Sequence, residues 1–228
     1  LFSNFSMIYS DYYYGLTLDF VGFNWDSGIK NYNLKYDFKH YVNNKTKLFY
    51  GVNTIYYDFN PGKIEPTNSS SGINPDQLDK KYAFEPAVYL DVEQQLSDKL
   101  SINFGLRYRF SVAYLLDDNQ SIKMSYNRMT QYLHLISNTQ SPTPLDVWAP
   151  SDNFLKPQIL DQLAIGYFKE VNNGKYTLEI ESFYKKIKNR LDYIDGADLI
   201  ANNAIEQVVL NGKARAYGLE VLFRKNEG

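Results

Sequence analysis

Cysteine is absent from the 228 residues, and His and Trp occur only twice each. Without a thiol there is no disulfide framework, no Cys-based zinc site and nothing that reports a redox compartment. His40 and His134 have no second His or Cys at ligand spacing, so neither a metal nor a cofactor is expected. Glycine-rich phosphate loops, HExxH and GxSxG are lacking as well. Lys and Arg number 24 against 26 Asp and Glu, scattered rather than massed, and this excludes a nucleic-acid footprint. No window approaches the ~20 apolar residues of a membrane-spanning helix. A β-barrel stays open, because alternating strands average out in any hydropathy sum. The chain begins LFSNFSMIYS, with no signal-peptide pattern, and reads as an excerpt of a longer mature protein.

What is abundant is tyrosine: 21 Tyr and 14 Phe bring the aromatics to 16%. Tyr suits a surface that is apolar on one side and wet on the other, as at membrane interfaces. Alternation is equally pervasive. Tyr12, Tyr14, Leu16, Leu18 and Phe20 form one series, and Tyr32, Leu34, Tyr36 and Phe38 another. Val88, Leu90 and Val92, then Tyr176, Leu178 and Ile180, then Tyr217, Leu219, Val221 and Phe223 continue the pattern. Period two over so many segments predicts strands with one face in an apolar medium. The opposite face carries charge mid-strand at Lys35, Lys39, Asp91, Glu93, Arg107, Lys123, Glu179 and Glu181, which are read as lumen-facing.

The connections separate a membrane barrel from a soluble one. Short polar turns are predicted at SDY (10–12), NNKT (43–46), SDK (97–99), DDNQ (117–120) and NNGK (172–175). Long loops are predicted over 60–81, 137–156 and 189–212. Tight turns at one end and long loops at the other are how outer-membrane barrels are built, whereas a lipocalin-like soluble barrel rarely has several ~20-residue loops at one end. The run KLSINFGLRYRFSVAYLLDDN is then too long. Its positions 100–116 would extend about 55 Å as one strand, about twice a ~25 Å apolar band. The chain is expected to reverse near Tyr108 to Phe110, where an external loop is read as left out, and the short connection 21–28 suggests a second omission. The fold class is therefore all-β, an antiparallel transmembrane β-barrel of outer-membrane type, with about eleven strands in this chain.

Several segments resemble the barrel of TonB-dependent receptors from Bacteroidota. They are YGVNTIYYDFNPG, YAFEPAVYLDVEQQLSDKLSINFGLRY, SIKMSYNRMTQYLHLISNTQSPTPLDVWAPSDNFLKPQILDQLAIGYF, ESFYKKIKNRLDYIDGADL and ARAYGLEVLFRK. The resemblance implies a larger barrel of 22 strands in the bacterial outer membrane. It further implies an N-terminal plug and a TonB box that contacts the inner-membrane energy-coupling complex. Plug, TonB box and C-terminal barrel strands are not found in these residues, so 1–228 reads as one barrel segment. The implied function is binding of a solute by external loops and its energy-coupled import. The alternative is a non-transporting barrel that serves a surface complex as a structural or docking subunit. Expected partners are outer-membrane lipids, the TonB complex, and a surface lipoprotein or other outer-membrane proteins.

Candidate ligand contacts in the external loops are Trp25, Tyr132, His134, Asp146, Trp148 and Asp195. Three prolines stiffen SPTPLDVWAPSD, so Asp146 and Trp148 are held out at low entropic cost, an arrangement suited to a sugar, a peptide or an amine. Packing of Trp148 onto neighbouring loops is the competing reading. Asp195 and Asp198 suit a calcium ion or ordinary turn chemistry. His134 with Asp146 or Asp152 resembles part of a rim hydrolase, but no nucleophile or orienting group is positioned, so an enzyme is not expected.

Overall fold

A computed structural model describes residues 1–106, 108–136, 147–194, 196–197, 202 and 205–226, with Val147 described by its backbone only. The strands are β1 (Phe2–Leu18), β2 (Phe23–Asn43), β3 (Thr46–Pro66), β4 (Asp76–Gln77), β5 (Lys81–Gln95), β6 (Leu100–Gly105) and β7 (Arg109–Asp117). They continue as β8 (Gln120–Gln131), β9 (Leu133–Ile136), β10 (Val147–Pro150), β11 (Gln158–Val171), β12 (Tyr176–Tyr193) and β13 (Val209–Lys225). One 11-stranded sheet runs β1-β2-β3-β5-β6-β7-β8-β11-β12-β13, with β4 added to β3, and β9 pairs β10 in a separate two-stranded unit. All pairings are antiparallel, β3 meeting β5 past β4 and β8 meeting β11 past the β9–β10 unit, and the sheet does not close on itself.

The predicted turns at 43–46, 97–99, 117–120 and 172–175 lie together at one end. Asn172, Asn173 and Gly174 adopt positive φ there, the left-handed conformation that Asn and Gly tolerate best. The predicted turn at 10–12 is not formed. Ser10, Asp11 and Tyr12 continue β1, where Asp11 stands opposite Lys30 with 3.8 Å between their charged groups. The chain turns instead at 19–22, closed by Val21 N–H donating to the Leu18 carbonyl at 3.1 Å. The long-loop boundaries also shift, since β3 runs on to Pro66 and β12 to Tyr193. Strands of 21 residues reach about 70 Å, so β2 and β3 stand well clear of an apolar band about 25 Å tall.

The run 100–116 does reverse. Gly105 pairs with Arg109 and Phe104 with Phe110, so β6 and β7 form a hairpin, with Tyr108 at φ 51°. This hairpin is short: β6 meets β5 only between 91 and 95. Among the described residues, the part of β5 from 81 to 90 has β3 on one side and no strand on the other.

Register carries the two faces from strand to strand. On one face lie Tyr9, Tyr32, Tyr56 and Phe84 in one cross-strand row, and Tyr126, Leu163, Tyr184 and Tyr217 in another. These side chains are not core: Val88 is 73% exposed and Leu219 69%. Among the described residues ten hydrophobics are buried: Trp25 with Leu78 in one cluster, Ile136, Ala149, Leu155, Tyr193, Ile205 and Val209 in another at the loop end, and Ile29 and Phe59, paired across β2 and β3, outside both. A chain that buries so little of its apolar surface internally needs an apolar medium outside.

Candidate functional site

On the second face of the sheet Lys35 pairs with Asp37 at 2.8 Å, and Glu93 accepts from Lys47 at 2.7 Å. Lys39 lies over the rings of Tyr41 and Phe49, and Lys123 sits 4.3 Å from the Phe168 centroid. Register places Asp91 in the row of Lys39 and Phe49, and Glu181 in the row of Lys123 and Gly166, with Glu179 two positions along β12. Seven of the eight charges expected on one face therefore share it; Arg107 lies outside the described residues.

The loop end of this same face is built in two parts. The first is Trp25, which pairs with Leu16 and Ile64 and packs with Tyr14, Phe23 and Leu78. Trp25 fits because β3 bulges at Pro61 and Gly62, where the register slips between Asp26 and Gly28 of β2. A Cβ at position 62 would overlap the indole. Trp25 has no exposed surface in this arrangement, and its indole nitrogen finds no acceptor among the described residues.

The second part is the β9–β10 unit, a tongue between β8 and β11. Leu133 pairs with Pro150, His134 with Ala149, and Leu135 with Trp148. Trp148 meets Tyr12 of β1 edge to face at 6.4 Å, which ties the tongue across the charged face to the opposite side of the sheet. His134 is buried at 4% exposure, and its Nε2 contacts Ser151 Oγ at 2.8 Å. Burial holds the imidazole below its ordinary pKa, so it stays neutral at pH 7. Asp152 does not assist it: its Oδ1 accepts the N–H groups of Phe154 and Leu155 at 2.7 Å each, an Asx turn. Among the described residues no carboxylate is hydrogen-bonded to the other ring nitrogen of His134.

Tyr132 is half exposed, and its carbonyl accepts the Ser151 N–H at 2.7 Å. Beside it a cleft of about 640 Å³ opens where the β6–β7 hairpin stops short, bounded by Tyr57, Phe84, Tyr108, Arg128, Tyr132 and Ser151. The structure thus brings Tyr132, His134 and Trp148 together on the tongue and puts Trp25 in a separate cluster. Ser151 was not singled out from the sequence. Asp146, Asp195 and Asp198 lie outside the described residues, and among those described no three His, Asp or Glu side chains gather to hold a metal ion.

The family described as "TonB dependent receptor-like, beta-barrel" matches residues 2–225. The chain belongs to the TonB-dependent receptor β-barrel family.

Solved structures agree on the fold of these TonB-dependent receptor strands. The apoprotein form of the FrpB iron transporter from Neisseria meningitidis superposes with a TM-score of 0.59 at 15% identity, over 90% of this chain and 35% of that one. FpvA of P. aeruginosa bound to heterologous pyoverdines gives 0.54 at 13% identity, over 99% and 35%. The FpvAI complex with pyocin S2 gives 0.58 at 13% identity, over 90% and 32%. The chain spans about a third of the length of these structures. A search of curated proteins finds no match. The family is one of receptor and transporter barrels, not of enzymes.

Proposed function

We propose that this chain supplies part of the wall and outer mouth of an outer-membrane receptor that binds a scarce solute and imports it with TonB-coupled energy. The charged face is then the lumen, and the exposed aromatic and aliphatic face meets lipid. The observation that carries the reading is the β9–β10 tongue, folded back onto the charged face and pinned there by Trp148 on Tyr12. A loop held over the lumen at the loop end is placed to meet a solute before it descends.

In this reading Tyr132 and Trp148, with Asp146 and Asp195 in the adjoining loops, make the solute contacts, and no catalytic step takes place. His134 sets the tongue's shape through Ser151. Plug and TonB box come from other parts of the same polypeptide, and a surface lipoprotein is a natural further partner. The resemblance of the strand and loop segments supports a source among the Bacteroidota. Ferric chelates are the first solutes to test, because the structural neighbours are an iron transporter and a receptor bound to pyoverdines.

The test has two readouts on the intact protein purified from outer membranes. Its mass should be several times 26.5 kDa. Uptake of radiolabelled ferric chelates by cells should fall on deletion of its gene and on loss of TonB, and Trp148→Ala should weaken binding. Retention of the protein in a surface complex, with no solute whose uptake depends on it or on TonB, would replace the transporter by the docking subunit.

A further inference from the structure

The lipid-side face of β8, β11, β12 and β13 ends, toward the loops, in two rows that no transport step uses. Next to the row Tyr126, Leu163, Tyr184 and Tyr217, register sets Arg128, Asp161, Lys186 and Arg215 in line. The following row is Thr130, Ile159, Lys188 and Lys213. Five cations thus share one face with a single carboxylate. That carboxylate is engaged already: Arg128 Nε and Nη2 donate to Asp161 at 2.6 and 3.0 Å, and Tyr126 Oη donates to it at 2.7 Å. Lys186, Lys188, Lys213 and Arg215 are exposed, and among the described residues none of them closes an ion pair.

An aromatic row marks where a membrane face passes from hydrocarbon to headgroup. Cations one and two rows beyond it stand about 7 and 14 Å further along the strands, at headgroup depth. Four cations that close no ion pair among the described residues are costly side by side in water and favourable against multiply charged phosphate, which Arg binds as a fork and Lys as a point charge. The other wall has no such surplus: beyond Tyr9, Tyr32, Tyr56 and Phe84 come Asp11, Lys30, Asp58 and Tyr82. We infer that Lys186, Lys188, Lys213 and Arg215, with the Arg128–Asp161 pair as their flank, form a docking surface for the phosphorylated headgroups of outer-leaflet lipid. The inference rests on the outer-membrane reading above.

The test uses the intact protein from outer membranes, stripped of lipid in detergent and offered lipopolysaccharide whose glucosamine phosphates are present or enzymatically removed. Native mass spectrometry counts the retained lipid. The wild type should retain the phosphorylated form, and both removal of the phosphates and the combined change Lys186→Gln, Lys188→Gln, Lys213→Gln and Arg215→Gln should weaken retention about tenfold or more. Lys-to-Arg changes at 186, 188 and 213 should retain it, as should Lys30→Gln with Lys63→Gln on the other wall. Inorganic phosphate should not displace the lipid. Equal retention by wild type and the glutamine variant, equal retention of the dephosphorylated lipid, or displacement by inorganic phosphate overturns the inference, as does a protein partner lost with the same four charges. Should the fourfold variant not insert, Arg215→Gln alone carries the comparison. Absence of the protein from the outer-membrane fraction would instead sink the underlying functional reading.

Discussion

On β1, β2, β3 and β5 the row Tyr9, Tyr32, Tyr56, Phe84 gives way toward the loops to Asp11, Lys30, Asp58, Tyr82. On β8, β11, β12 and β13 the row Tyr126, Leu163, Tyr184, Tyr217 gives way to Arg128, Asp161, Lys186, Arg215. The aromatic rows are alike because both walls answer to the same apolar medium. The charged rows differ because nothing in the fold dictates their sign. Where a common constraint ends, what remains is open to function. Each wall also has its own small core at the loop end, Trp25 with Leu78 on the first and the Ile136, Leu155 and Tyr193 cluster on the second.

The largest expected effect separates those cores. Trp25→Ala empties a fully buried indole site and should cost about 3–5 kcal/mol in urea unfolding of the intact protein in lipid. Hydrogen exchange should rise in β4 and its flanking loop while the tongue keeps its protection. Leu155→Ala, about 2–5 kcal/mol, should do the reverse. If either change loosens both regions together, the walls form one cooperative unit and the comparison fails.

A smaller effect tests whether the rows report depth. Ile165, two residues from Leu163 toward the tight turns, is 53% exposed on the lipid side. Ile165→Arg should destabilise by about 2–4 kcal/mol, whereas Thr130→Arg, within the cationic rows, should cost about 0–1 kcal/mol. On the first wall Leu34→Arg should behave like Ile165→Arg. Equal costs at Ile165 and Thr130 would mean that the cationic rows are not at headgroup depth.

Next comes the tongue. Burial lowers the His134 pKa in the folded protein, so its contribution is complete above the unfolded value of about 6.5 and is lost as pH falls below that toward the folded value. Protection of the Leu133–Ile136 and Val147–Ala149 amides, corrected for the intrinsic pH dependence of exchange, should therefore fall as pH drops below about 6.5. His134→Gln should flatten the dependence, while the Trp25 region should show none. A pH-independent tongue would remove His134 from its architecture.

Much of this was legible in the sequence because it rests on period two and on turn chemistry. The strands, four of the tight turns and the reversal within 100–116 needed no partner strand to be read. The turn expected at 10–12 failed for the reason that others succeeded: Ser and Asp favour turns locally, but Lys30 across β2 gives Asp11 a place in a strand. The long-loop boundaries were misplaced because strands standing above the membrane no longer alternate. Ser151 and the cationic rows were invisible for a different reason. Ser151 meets His134 only through the Leu133–Pro150 register, and Arg128, Lys186, Lys188, Lys213 and Arg215 come from three strands spread over nearly ninety positions.

The smallest effect compares the two charged rows directly. Arg128 holds Asp161 through two hydrogen bonds, reinforced by Tyr126, and the Asp161 side chain is 19% exposed. Lys30 and Asp11 are 3.8 Å apart and about half exposed, so solvent screens them and side-chain entropy opposes the contact. Asp161→Asn removes one charge of a two-pronged pair and leaves a guanidinium beside Lys186 and Lys188 with no counter-charge. It should lower the urea midpoint at low salt and lose part of that effect as salt is added. Asp11→Asn should leave the midpoint within error at any salt concentration. A matching loss at Asp11 would give the first wall an electrostatic network of its own, and the contrast in sign between the walls would then reflect stability rather than recognition of phosphorylated lipid.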